Sequence, residues 1–334
     1  MRRSHFEALQ PVCPLCRAPL ALSSIERGDA DDVLEGIVVC AGRDCAREYP
    51  IIDGIPIFVG AIRTWLAANP LQVLLRDDLS APIESLLGDV LGPGSAYDTL
   101  RQHTGIYADD HYGSGGGAAL RVLARGLDAA HELAGPALDA GCATGRTTFA
   151  LAERTNALTV GIDLNFAMLR IASQALRAGR VRYARRRVGV VYERREDDVT
   201  LPARERVDFW CCDAAALPFG GATFGVAASL NLVDCTPSPA EVLRELGRVM
   251  RGGGTALVAT PYDWSASATP VEGWLGGHSQ RGPHGGAAEP ILRALLAEEF
   301  AIDREVASVP WRVRLHDRSA VEYDVHLVVA RRKG

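Results

Sequence analysis

Leu138-Asp139-Ala140-Gly141-Cys142-Ala143-Thr144-Gly145-Arg146, followed by Val160-Gly161-Ile162-Asp163, is the stretch that decides how this chain folds. An apolar strand runs into an acidic, glycine-bearing turn, a helix follows, and a second strand ends on an acid. That succession predicts a crevice for a nucleoside-type ligand at the carboxyl edge of a parallel sheet. Gly141 and Gly145 let the backbone turn tightly and approach a ligand closely. Asp163 stands where one carboxylate can accept from both hydroxyls of a ribose.

Outward from the turn the pattern alternates strand and helix. Helices are expected over 118–133, 146–154, 166–178, 242–250 and 291–297. Strands are expected over 137–140, 158–162, 224–232, 255–260, 301–306 and 323–330. A third core strand ends Phe209-Trp210-Cys211-Cys212-Asp213-Ala214. Ahead of it, 181–191 and 201–210 read as a hairpin inserted around a charged hinge, Glu193–Asp198. The 334 residues suggest about two domains. With 36 basic against 41 acidic residues, no general affinity for nucleic acid is implied. Seven arginines between Arg180 and Arg195 are the local exception. The opening Met1–Pro11 lacks an apolar h-region, and no apolar run is long enough to span a bilayer. A cytoplasmic protein without membrane contact is therefore expected.

The glycine turn resembles motif I of class I S-adenosylmethionine-dependent methyltransferases, with Ala143 at the usual middle glycine. The resemblance implies an α/β, Rossmann-like, seven-stranded core with an antiparallel last strand. It also implies cofactor contacts at Asp139, Gly141, Cys142, Gly145, Asp163, Leu164, Asp213, Ala214 and Asn231. In that family an acid at the Asp213 position accepts from the adenine amino group. The cadence from Leu243 to Gly254 belongs to methyltransferases rather than dehydrogenases.

Upstream, Cys13-Pro-Leu-Cys16 and Cys40-x4-Cys45 supply the four thiolates that tetrahedral zinc prefers. The second knuckle is longer than the usual two-residue spacing. Tyr49-Pro-Ile-Ile-Asp53-Gly54-Ile-Pro56 resembles the ending of Trm112-like zinc-ribbon domains. So small a module has little apolar core, and structural Zn2+ would supply folding energy. The expected organisation is a zinc-ribbon-like module over 1–61, a helical cap and linker over 62–117, and the methyltransferase domain over 118–334. Insertions fall at about 181–206 and 263–290, and His278 and His284 suggest a mobile lid in the second.

Asn231 and Asp234 follow the fourth core strand. Tyr262, Trp264, Glu272 and Trp274 crowd the loop after the fifth. Aromatic faces of this kind hold a planar or partly cationic ring. Asn231-Leu-Val-Asp234, Pro261-Tyr262-x-Trp264 and Thr269-Pro270-x3-Trp274-Leu-Gly-Gly277 resemble the C-terminal N-methyltransferase domain of ovothiol-biosynthesis enzymes. That resemblance implies N-methylation of an imidazole-bearing small molecule, histidine or thiohistidine in type. Asn231, Asp234 and Tyr262 are the candidate catalytic residues. Tyr107, Tyr112, Trp264, Glu272, Trp274 and Arg312 are the candidate substrate contacts. Two other functions fit the same residues. One is an RNA base methyltransferase that uses the zinc ribbon and the arginine cluster; the other is a non-catalytic cofactor-binding partner protein.

Overall fold

The computed structural model describes residues 1–334. The N-terminal part comprises α1 (Arg3–Leu9), β1 (Leu20–Gly28), β2 (Val33–Cys40), β3 (Glu48–Ile52) and β4 (Ile55–Phe58). Four helices follow, α2 (Ile62–Ala68), α3 (Pro70–Leu74), α4 (Ala81–Leu91) and α5 (Ala96–Tyr112). The alternating region then runs α6 (Ala118–Ala129), β5 (Ala137–Ala140), α7 (Arg146–Thr155), β6 (Thr159–Asp163) and α8 (Phe166–Ala178). A hairpin, β7 (Arg180–Val188) and β8 (Val191–Asp198), precedes β9 (Val207–Cys212) and β10 (Phe224–Leu230). The chain ends with α9 (Pro239–Val249), β11 (Met250–Thr260), α10 (Glu289–Glu299), β12 (Phe300–His316) and β13 (Ser319–Arg332).

One continuous sheet has the order β1-β2-β3-β4-β9-β6-β5-β10-β11-β13-β12. From β4 to β11 neighbours run parallel, and β13 is antiparallel to both β11 and β12. The α/β class is thus that of the sequence reading, but the sheet has eleven strands rather than seven. The four extra strands come from the N-terminal module. Its β4 adds to the edge of β9 through Ile57 opposite Cys211 and Phe58 opposite Cys212. The join is apolar: fully buried Trp210 meets Phe58 edge-on at 5.4 Å and stacks on Phe219 at 5.4 Å. Burying side chains of this size contributes about 2–3 kcal/mol each, so module and core share one interior.

The central strands are apolar on both faces because helices cover both. All six residues of β9 and all seven of β10 are buried. In α9, Val242, Leu243, Leu246 and Val249 recur at helical spacing and pack on one side of the sheet, while Glu241 and Arg244 face water. In α8, the Asn165 side chain caps the first turn by accepting from the Met168 N–H, and Gly179 closes the last turn at φ +64°.

The expected hinge at Glu193–Asp198 is instead strand β8, paired with β7 from Arg180–Asp198 to Val188–Val191. Val181 and Tyr183 of β7 are buried in the core, and opposed charges tie the two strands of the ribbon together. Arg180 pairs with Glu196 and Asp198, Arg185 with Glu193 and Asp317, and Arg195 with Glu193 and Asp197. The arginine cluster is therefore largely neutralised by its own neighbours. The long 263–290 segment holds only short 3-10 turns at Val271–Gly273 and Pro283–Gly286. No helix is long and apolar enough to cross a membrane.

Candidate active site

Strand order reverses beside β5: the chain proceeds to β6 and β9 on one side and to β10 and β11 on the other. The crevice of a doubly wound sheet opens at that point, outside the carboxyl ends of the strands. Here it lies between the 141–145 turn and the segment after β10. Gly141, at φ +78°, packs so closely that a Cβ would sit 3.0 Å from the Leu232 side chain. Ala143 adopts φ +48°, a left-handed conformation unusual for a residue with a Cβ. Its N–H donates to Asp163 Oδ2 at 2.9 Å, and the Asn165 N–H donates to Oδ1 at 2.8 Å. Asp163 thus organises the turn before any ligand arrives. Burial raises its carboxyl above the ordinary range, against the three backbone N–H groups that favour the charge.

Asp139 takes a different place from the one expected of a cofactor contact. It is buried beneath the turn, and Oδ2 accepts from the Thr147 and Thr148 hydroxyls, each at 2.7 Å. Desolvation pushes it up to about 6, with the two threonines opposing. Its observed contacts brace the start of α7. Leu164 is exposed at the end of β6, and Ala214 is buried after β9. Asp213 accepts from the Ala215 N–H at 2.9 Å, which fixes the turn leaving β9.

Helix α5 roofs the glycine turn. Tyr112 donates its hydroxyl to the Thr144 carbonyl at 2.8 Å, so that phenol holds the turn. Tyr107 reaches further, and burial followed by Cys235, Asp163, Tyr323 and Asp234 pushes its phenol up. Two neighbours lie outside the expected substrate and cofactor contacts. Asp110 caps α6 by accepting from the N–H groups of Ala118 and Ala119. His111 Nδ1 accepts the Arg146 N–H at 3.2 Å, at the start of α7. Burial holds the His111 imidazole down at about 4, with Asp110 opposing and Arg146 assisting. Unfolded histidine titrates near 6.5, so below that pH the unfolded chain takes a proton that the folded one refuses. Stability from this group is complete above about 6.5 and falls as pH drops toward 4. From pH 7 to pH 5, wild type should lose about 2 kcal/mol more than His111→Asn, which keeps an acceptor but does not titrate. Urea denaturation at the two pH values reads this; equal losses would refute it.

Across the crevice, Asn231 adopts φ +53°, and its Oδ1 is buried without a hydrogen-bond donor. Asp234 is buried, accepts from the Thr260 hydroxyl and the Asp263 N–H at 3.1 Å each, and is raised chiefly by burial. Cys235 opens onto the same space. Desolvation and then Asp234, Asp263 and Asp163 push its thiol up to about 12, so it is no thiolate nucleophile at neutral pH. Tyr107, Cys235 and Tyr323 each feel the charge of Asp234, so these groups share one neighbourhood.

The aromatic loop is arranged otherwise than expected. The Tyr262 hydroxyl meets His326 Nδ1 at 2.6 Å, on the α10 side of the sheet near Glu289 and Arg293. The hydroxyl expected to serve catalysis is thus engaged by a residue of β13. Trp264 stacks on Trp274 at 6.2 Å and 16°, and the Trp274 indole donates to the Thr269 carbonyl at 2.8 Å. Trp264 Nε1 is buried without a partner. Glu272 is exposed on a 3-10 turn. Arg312 departs from its expected role: 57% exposed, it pairs across the ribbon with Glu322 at 3.0 Å. A cavity of about 230 Å³ lies at the opposite strand edge among Glu132, Gly135, Gly225 and Arg251, away from this chemistry.

In the N-terminal module the sulfurs of Cys13, Cys16, Cys40 and Cys45 lie within 4.8 Å of one another. Tetrahedral zinc–thiolate bonds of about 2.3 Å require sulfurs roughly 3.8 Å apart, and Cys13 and Cys45 stand at 3.8 Å. Gly42 leaves them room, since a Cβ there would lie 3.1 Å from Cys16 Sγ and 3.3 Å from Cys40 Sγ. The donor set fits a zinc ion.

Residues 138–258 match the family model of a methyltransferase domain. The chain carries a methyltransferase domain over these residues. Among solved structures, the chain resembles N-methyltransferase NodS from Bradyrhizobium japonicum in complex with S-adenosylhomocysteine. That pair shares 14% identity over 71% of this chain and 98% of the other, with a TM-score of 0.44. A Methanosarcina mazei SAM-dependent methyltransferase is similar at 19% identity over 61% and 94%, with a TM-score of 0.39. The [4+2]-cyclase SpnF is similar at 19% over 75% and 95%, with a TM-score of 0.45. No curated protein matches this chain in sequence.

Proposed function

We propose that the enzyme N-methylates an imidazole-bearing small molecule of histidine or thiohistidine type, and that zinc in the four-cysteine site is structural. The observation carrying this reading is the unpartnered, buried Oδ1 of Asn231 beside the Asp234 carboxylate. A buried acceptor without a donor costs about 1–3 kcal/mol, a cost that an acceptor substrate's N–H would relieve. S-adenosylmethionine supplies an electrophilic methyl group on a sulfonium. Asp163 and the 141–145 backbone hold its ribose end, and the turn at Asp213 faces the adenine. Tyr107 closes the crevice and excludes water. Asn231 orients the nitrogen substrate for in-line attack, where positioning supplies much of the rate. An imidazole nitrogen is mostly neutral at pH 7, so it needs orientation and a proton acceptor rather than a strong base. Asp234 is that acceptor.

Labelled methyl transfer to histidine, thiohistidine and imidazole analogues tests the assignment; transfer confined to RNA would overturn it. The RNA reading loses its electrostatic support because Arg180, Arg185, Arg187, Arg194 and Arg195 already have carboxylate partners. Asn231→Ala should lower kcat on the order of 10²-fold, while S-adenosylhomocysteine affinity stays within a few-fold. An equal loss in both would place Asn231 in the cofactor site instead.

A further inference from the structure

The four-cysteine module does more than extend the sheet, because it touches the loop that leaves β9. Arg17 directly follows Cys16 and takes a left-handed φ of +61°. That turn aims its guanidinium out of the knuckle and into the core. Nη1 donates to the Leu217 carbonyl at 2.6 Å, and Nη2 donates to both Glu245 oxygens at 3.2 Å. Glu245 in turn accepts the Leu217 N–H at 2.8 Å and pairs with Arg248, which reaches the Leu217 and Phe219 carbonyls. The Val12 N–H, one residue before Cys13, donates to the Pro218 carbonyl at 3.0 Å. The knuckle thus grips Leu217–Pro218 on both sides. Those residues end the short turn that begins at Asp213 and Ala214.

We infer that Arg17 is a positioning residue through which metal in the four-cysteine site sets the adenine-side loop, so that metal and cofactor bind cooperatively. The inference rests on the proposed placement of the adenine at Asp213. The physical reason is local. Without a metal, the turn after Cys16 keeps its own backbone bonds, Arg17 N–H to the Cys13 carbonyl at 2.9 Å and Cys13 N–H to the Ala18 carbonyl at 2.8 Å, but only weak thiol contacts tie it to the Cys40–Cys45 turn, and the guanidinium's origin is held less firmly. A bidentate fork is useful only when held in one geometry. Linkage then requires each ligand to tighten the other by the same factor.

The test measures S-adenosylhomocysteine binding by calorimetry to zinc-loaded wild type, chelator-stripped wild type and zinc-loaded Arg17→Ala. Zinc retention against a chromogenic chelator is read with and without S-adenosylhomocysteine. Stripping should weaken cofactor binding about 10-fold, within the usual range of coupling. Zinc-loaded Arg17→Ala should show the same loss, and S-adenosylhomocysteine should slow zinc extraction from wild type but not from this variant. If stripping unfolds the protein, the zinc-loaded variant, checked for fold by circular dichroism, decides alone. Equal affinity in wild type and Arg17→Ala overturns the inference while leaving the methyltransferase reading intact. Absence of binding to zinc-loaded wild type would overturn the cofactor placement itself, and this inference with it.

Discussion

Replacing Asp163 by Ala should raise the dissociation constant for S-adenosylhomocysteine on the order of 10²-fold or more. Two losses combine in that number. The ribose hydroxyls lose a charged acceptor, and hydrogen bonds to charged groups are worth about 1.5–3 kcal/mol. The Ala143 and Asn165 N–H groups also lose their shared partner, so the turn is no longer held open. Ala143 sits at φ +48°, where a side chain is disfavoured, and without its anchor the turn should relax toward ordinary backbone angles. Asp163→Asn separates the two effects, since it keeps a neutral acceptor for the backbone. An intermediate loss is expected from it. Calorimetry on the purified variants gives both values, and an Asp163→Ala affinity within a few-fold of wild type would refute the assignment.

Gly145→Ala should destabilise the protein by about 3 kcal/mol, with no cofactor present. A Cβ at this position would lie 2.6 Å from Phe209 Cζ and 2.7 Å from the Ala172 Cβ, at a φ of +86°. Neither neighbour can retreat. Phe209 is held edge-on to Phe149 at 5.6 Å, and Ala172 lies in the middle of α8. This glycine lets helix and strand touch. Thermal unfolding without ligand should show a drop of several degrees. An unchanged melting temperature with weakened cofactor binding would move the role of Gly145 from packing to ligand approach.

These two residues also show what could be read in the chain beforehand. The strand, glycine turn and acid are local, so 138–163 declared the crevice without any knowledge of distant partners. Buried strands such as β9 and β10 were equally legible, as short apolar runs between turns. The β7–β8 ribbon was not, because charged residues paired across it, such as Arg185 and Glu193, outnumber the few apolar ones, such as Val181 and Tyr183, that it buries. A charged strand and a charged hinge look alike in one dimension. The candidate site suffered from the same blindness at longer range. Tyr262 seemed free for chemistry until β13 brought His326 to its hydroxyl. Arg312 seemed free until Glu322 lay opposite it. The role of His111 could not be read locally, since it depends on the open N–H at the start of α7.

The splice of β4 onto β9 has a consequence for how the chain is built. Ile57 and Phe58 leave the ribosome long before Cys211 and Cys212, their partners in the ladder. Until then the apolar face of β4 has only its own hairpins to lie against. Contacts so distant in sequence raise the contact order and slow folding. Strand edges that wait unpaired are also where chains associate wrongly. A metal that closes the first knuckles early would hold the waiting strands in a compact, native-like form. A zinc ion bound there would act first as a folding clamp during synthesis, and only afterwards as part of the finished protein.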